Sequence, residues 1–232
     1  MASNGNTSQS KTLNISKLSI DDLREDQFLL RQIERLLAPS YVDANTILTK
    51  ALRNNSFAYL GFLESGSLSS FFFVGEHYPA LENAKLFYLG LSACEESKKG
   101  RGLTYQLYKH FLTETEGMHE RAFHWATTAN PLVYLLMRRL FKRIAPGSKQ
   151  FADLNDVALE IRNRIAPLRF SCQSPFVLKK FSPSVRYSKI ELERLESAYR
   201  RRNSVAEFLA IDESEGDRLL VVATTWSTSN EG

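Results

Sequence analysis

The chain has 232 residues, 43% of them hydrophobic and 24% charged, with a formal net charge of +4. That is enough for one substantial core, with no low-complexity segment within it. Two cysteines, Cys94 and Cys172, are too few for a disulfide framework or a cysteine-rich metal site. They fit a reducing, cytoplasmic setting.

The first eleven residues are polar and small, and read as a disordered tail without a signal sequence. No apolar run reaches the roughly 20 residues of a membrane span, so no membrane partner is expected. Thr12 to Leu18 alternates as a first strand. Ser19 then caps one long helix over IDDLREDQFLLRQIERLL, with Asp21 and Asp22 in its first turn. A second helix follows over Val42 to Arg53, capped by Asp43.

The periodicity then changes from helical to alternating. Phe57 to Leu63 and Leu68 to Val74 are strands joined at Glu64-Ser65-Gly66-Ser67, an antiparallel hairpin. A loop containing Pro79 leads to a strand over Lys85 to Cys94. After the polar loop Glu95 to Arg101, a helix shows an apolar stripe at Leu103, Leu107, Phe111 and Leu112, and stops at Gly117. Ala122 to Thr128 is a further strand. Asn130-Pro131 opens a helix expected to run from Leu132 to Arg143, and Pro146-Gly147 breaks the chain. Asp153 to Ala166 is helical, Phe176 to Phe181 a short strand with edge-marking lysines, and Ser188 to Leu209 a charged helix. Arg218 to Trp226 is a closing strand, followed by a polar tail at 227–232.

The expected fold is therefore one α/β domain over residues 12–226, a mixed central sheet with flanking helices. The stretch from about 145 to 217 is an addition to it.

One junction carries chemistry. Between a central strand and an amphipathic helix stands Lys99-Gly100-Arg101-Gly102-Leu103-Thr104. Glycines permit close backbone approach. A helix start offers unpaired N–H groups and positive potential, which together suit a phosphate or pyrophosphate. Lys98, Lys99 and Arg101 add positive charge. The bland alternative is a glycine turn that only starts a helix. The loop is neither a P-loop nor a three-glycine dinucleotide fingerprint.

This junction resembles the Arg/Gln-x-x-Gly-x-Gly/Ala loop of the GNAT superfamily of acyl-CoA N-acyltransferases. Lys99 stands for the Arg or Gln, Gly102 matches the glycine, and Thr104 replaces the small last residue. The resemblance continues downstream, where Asn130, Leu136 and Leu140 match the helix after the family's fifth strand. It covers about Phe57 to Phe141. It implies the GNAT fold and acetyl-CoA as acyl donor, with no metal. The helix-opening residues Lys99, Gly100, Arg101, Gly102, Leu103 and Thr104 would hold the pyrophosphate. Ser92, Ala93 and Cys94 would grip the pantetheine where the fourth strand splays from the fifth. Asn130 would cap its helix and contact CoA.

The implied activity is transfer of an acetyl group to a primary amine by direct attack. Met137 departs from the family, which carries there a tyrosine that protonates the leaving thiolate. Tyr134, one turn back on the same face, is the candidate acid, with packing as its alternative. Glu95 is the candidate base, and Glu96, His124 and Tyr88 are its rivals. Cys94 has no partner for covalent catalysis. Met137 also leaves open a non-catalytic acyl-CoA-binding module of the same fold. The basic helices carry no aromatic-interleaved motif, so nucleic acid is not the expected partner. A homodimer through the C-terminal addition is possible.

Overall fold

The computed structural model describes residues 13–81, 84–116, 122–147, 149–166, 174–183, 185–201 and 210–226. Both tails, Gly117, Cys172 and the end of the helix expected to reach Leu209 lie outside them.

The chain opens with strand β1 (Asn14–Ser19) and helices α1 (Ile20–Glu25), α2 (Gln27–Leu37) and α3 (Ala44–Asn54). The single long helix expected after Ser19 is in fact two. Asp26 interrupts it and accepts hydrogen bonds from the Phe28 and Leu29 amides, making itself the N-cap of α2. A short carboxylate gains more by capping than by continuing a helix. Ser19 caps α1 through the Asp22 amide and Asp43 caps α3 through the Thr46 amide.

Strands β2 (Phe57–Phe62), β3 (Leu68–Leu81) and β4 (Ala84–Cys94) complete an antiparallel meander with β1. Pro79 does not sit in a loop as expected, since β3 continues through it. The pairing of β3 with β4 instead breaks register between His77 and Leu81, which leaves the proline without a ladder bond to make.

Helix α4 (Leu103–Glu116) leads to β5 (Ala122–Thr128), which pairs parallel with β4. Helix α5 (Pro131–Leu140) ends before Arg143 and not at it. Arg143 belongs to β6 (Arg143–Ala145), is buried, and pairs with Asp153. The C-terminal addition contributes α6 (Ala152–Ile165), β7 (Val177–Leu178) and α7 (Lys189–Arg201). It is therefore not only helical, and the expected strand Phe176–Phe181 shrinks to two residues.

The final strand β8 (Arg218–Thr224) does not close the sheet at an edge. It lies between β5 and β6, in the order β1-β2-β3-β4-β5-β8-β6, and also pairs with β7. All seven of its residues are buried. Its continuous apolar run suits a strand covered on both faces.

Alternation along the strands separates two cores. Ala58, Leu60, Phe71 and Phe73 face α1 to α3 with Leu23, Ile33, Leu37 and Leu48. Tyr59, Phe72 and Val74 face the other way, onto Leu107 and Phe111 of α4; Met137 of α5 and Ile161 of α6 belong to the same cluster. Each such side chain contributes about 1.5–3 kcal/mol by leaving water. With helices on both faces and a mixed sheet between them, the architecture is the one expected from the sequence.

Candidate functional site

Two features of β4 build the site. Its parallel pairing with β5 covers only Lys85–Tyr88 against Ala122–Trp125. Just beyond, the register against β3 shifts, from Val74↔Leu89 to Phe72↔Ser92, so Gly90 and Leu91 oppose a single residue, Phe73. This bulge bends β4 as it leaves β5. Gly90 lets the Asn55 side chain approach closely there, since a Cβ would lie 2.3 Å from its Oδ1. Past Tyr88 the two strands part, and β4 keeps β3 on one edge only.

The gap is a cavity of about 600 Å³. Tyr88 to Ser92 of β4 and Trp125 to Thr128 of β5 form its sides, α3 lies at its rim, and Val185, Tyr187 and Arg218 wall it from the C-terminal addition. Its size is in the range of small-ligand sites. Of the expected binding residues, Ser92 and Asn130 line it. Asn130 also caps α5, accepting from the Leu132 amide at 2.8 Å. Ser92 hydrogen-bonds the phenol oxygen of Tyr108 of α4, and burial raises that phenol well above the ordinary range.

Ala93 and Cys94 carry β4 on to the glycine loop. Thr104, at the start of α4, is within hydrogen-bonding reach of the Cys94 sulfur, so strand end and helix start are tied together. Burial pushes the Cys94 thiol up, which keeps it protonated and unreactive.

Gly100 and Gly102 have φ of +80° and +78°, with nothing within 4 Å of an added Cβ at either. Here glycine serves conformation and leaves open space in front of the helix. Gly102 accepts the first α4 bond, from the Gln106 amide. The amides of Leu103, Thr104 and Tyr105 precede the first intrahelical donor and point out of the helix.

The loop's lysines are both ion-paired. Lys98 pairs with Glu95. Lys99 pairs with Glu96 at 2.5 Å, and at 3.2 Å with Glu191, a buried residue of α7. It also donates to Ser40, and Arg194 of α7 pairs with Glu191 in turn. Lys99 is thus a tie between the loop and the C-terminal addition. Arg101 is exposed at the loop surface.

The five groups considered for proton transfer are placed differently, and one of them, Glu96, pairs with Lys99 in the loop and does not line the cavity. Tyr134 is buried and donates to the Pro146 carbonyl at 2.9 Å. Glu95 lies in the loop, outside the cavity lining, and hydrogen bonds from Lys98 and Ser97 hold its carboxyl below the ordinary range. His124 is enclosed by Phe87, Phe111 and Phe141, and burial pushes it down to about 3. Tyr88 does line the cavity. It packs on Trp125 with ring centroids 4.5 Å apart and hydrogen-bonds Thr127, and burial raises its phenol.

Tyr41, Tyr187 and Arg218 are wall residues that the sequence did not single out. They come from segments far apart in the chain with no motif of their own. The only trace was an arginine heading an apolar strand.

No family model matches the sequence, and neither does any curated protein. The chain is similar to solved N-acetyltransferases. One is an aminoglycoside acetyltransferase from an uncultured soil metagenomic sample, crystallised with trehalose. It is 19% identical, with 60% of this chain and 92% of that one covered and a TM-score of 0.41. A GNAT family N-acetyltransferase from Escherichia coli, crystallised with CoA, is 17% identical over 59% of this chain and 72% of its own, with a TM-score of 0.42. A ribosomal-protein-alanine N-acetyltransferase from Brucella melitensis is 14% identical over 60% and 98%, with a TM-score of 0.44. The fold rests on the strand order and pairing above and not on these likenesses.

Proposed function

We propose that the chain is a divergent GNAT-superfamily enzyme, an N-acyltransferase that moves an acetyl group from acetyl-CoA to a primary amine. The observation that carries this reading is the parting of β4 from β5 into a cavity beside a glycine-opened helix.

The residues fit the donor. The amides of Leu103, Thr104 and Tyr105, with the helix dipole behind them, would hold the pyrophosphate in the space left by Gly100 and Gly102. Beyond Tyr88, the β4 edge turned toward β5 has no strand partner among the described residues. From Ser92 to Cys94 its polar groups would pair with the pantetheine arm. Asn130 stands at the opposite wall. Acetyl-CoA supplies the activated thioester.

In the reaction the amine nitrogen bonds to the acyl carbon and the carbon–sulfur bond breaks. The sulfur leaves with the electron pair and takes a proton, while the nitrogen gives one to water. Among the described residues no lining side chain is a carboxylate or a histidine. The proton from nitrogen therefore leaves through solvent. Tyr88, which lines the cavity on β4 as Ser92 does, would protonate the thiolate, and the Tyr134 hydroxyl is engaged by Pro146 outside the cavity lining. The raised Cys94 thiol supports direct attack over an acyl-enzyme.

The absence of a lining base among the described residues favours one second reading, an acyl-CoA-binding module without turnover. Calorimetry with acetyl-CoA, followed by CoA release across a panel of amines, separates the two. Turnover supports the enzyme, and binding without turnover the module. If acetyl-CoA does not bind, both fall.

A further inference from the structure

The cavity between β4 and β5 is basic. Lys50, Arg53 and Arg218 line it, and no acidic side chain does so among the described residues. Lys50 and Arg53 are exposed at its rim on α3. Arg218 is of another kind. It is only 4% exposed and heads the fully buried strand β8, close enough to Tyr41, Tyr88 and Tyr187 for its charge to act on all three phenols. The rings of Tyr41 and Tyr187 stack beside it with centroids 5.1 Å apart.

The Arg218 guanidinium donates to the carbonyls of Val185 at 2.7 Å and Asp217 at 2.6 Å. No ion pair accompanies these bonds among the described residues. The adjacent Asp217 carboxylate is committed elsewhere, to Lys179 at 2.7 Å and to the amides of Lys180 and Asp212. Two carbonyl dipoles solvate the guanidinium, and among the described residues no carboxylate forms an ion pair with it. A buried guanidinium in that state is costly. Its fork matches a carboxylate bidentately.

On the acyltransferase reading above, we propose that the acceptor is a primary amine that carries a carboxylate, and that Arg218 receives the carboxylate in this cavity. The Tyr187 phenol, which accepts from Tyr41, can add a hydrogen bond to the same group. The exposed Lys50 and Arg53 would attract such a ligand and repel polycationic amines.

The test measures binding as well as turnover. Calorimetry on the wild-type protein compares N-acetyl amino acids, which would be the products, with their carboxamides. The carboxylates are expected to bind at least tenfold more tightly, and Arg218→Gln to remove that difference while Arg218→Lys keeps part of it. In CoA-release assays, amino acids should exceed both their amides and spermidine. Equal affinity of carboxylate and carboxamide for the wild type, binding of neither, or preference for spermidine overturns the proposal. The wild-type comparison stands even if Arg218→Gln does not fold. Acetyl-CoA binding in the same samples reports separately on the acyltransferase reading, because the product titration needs no donor.

Discussion

Glutamate in place of Gly102 tests the glycine loop most directly. Gly102 has φ +78° and no atom within 4 Å of where a Cβ would stand, so a side chain meets no clash there. The fold cost is the left-handed backbone of a non-glycine residue, about 1–2 kcal/mol. For a chain of this length that lowers Tm by roughly 2–8 °C. Ligand binding should suffer more. The new carboxylate sits over the first-turn amides of α4 and competes for them. It also faces the pyrophosphate: two unit charges about 4 Å apart repel by about 4 kcal/mol at an effective dielectric of about 20. Solvent at this exposed site reduces that to about 3 kcal/mol, roughly a hundredfold in acetyl-CoA affinity. Gly66 in the β2–β3 turn provides the control, having the same φ of +78° and the same open space. Gly66→Glu should lose similar Tm and bind acetyl-CoA as the wild type does. Calorimetry and thermal melts of both variants decide the matter. Acetyl-CoA affinity of Gly102→Glu within threefold of the Gly66→Glu control would refute the placement of the pyrophosphate.

Four further outcomes follow from the site and its supports. Tyr88→Phe should lower kcat at least tenfold with acetyl-CoA affinity unchanged. Tyr134→Phe should instead change kcat less than threefold and cost about 1–3 kcal/mol in denaturant melts, because the Pro146 carbonyl loses its donor. Glu191→Ala leaves Lys99 and Arg194 without their shared buried carboxylate, and should cost about 3 kcal/mol and speed hydrogen exchange in α7. His124 is held neutral in the fold, with its pKa moved from 6.5 to about 3 by burial. The unfolded chain therefore takes up the proton first as pH falls, and stability present above pH 6.5 declines toward pH 3. About 2 kcal/mol should be gone by pH 5. His124→Leu should flatten this slope in urea melts at about pH 7 and about pH 5.

Much of the fold was legible because local signals agreed. Ala122–Thr128 is a strand at the residues expected, and Leu103, Leu107, Phe111 and Leu112 are the buried stripe of α4. The Gly100-Arg101-Gly102 turn could be recognised because its chemistry is local. Errors came where a local signal admitted two outcomes. Asp26 can continue a helix or cap a new one, and Pro79 can end a strand or ride in one that skips its pairing. The site was harder, since its walls are long-range. Lys99 reads as a phosphate ligand, and nothing local in the sequence signals its second contact, with Glu191 92 positions on. Arg218 reads as an ordinary strand start. Only the insertion of β8 beside β5 brings it to the cavity, and pairing order is not written in periodicity.

That insertion also bears on how the protein is made. β5 gains its second neighbour, and β6 and β7 their only described one, when residues 218–224 arrive. During synthesis from the N-terminus, β1 to β4 can pair as they emerge, while β5 waits with an apolar edge until the last strand is made. Such an edge invites association with other nascent chains. Translation speed and chaperone occupancy over this interval, more than the stability of the finished sheet, would then set how much folded protein a cell recovers.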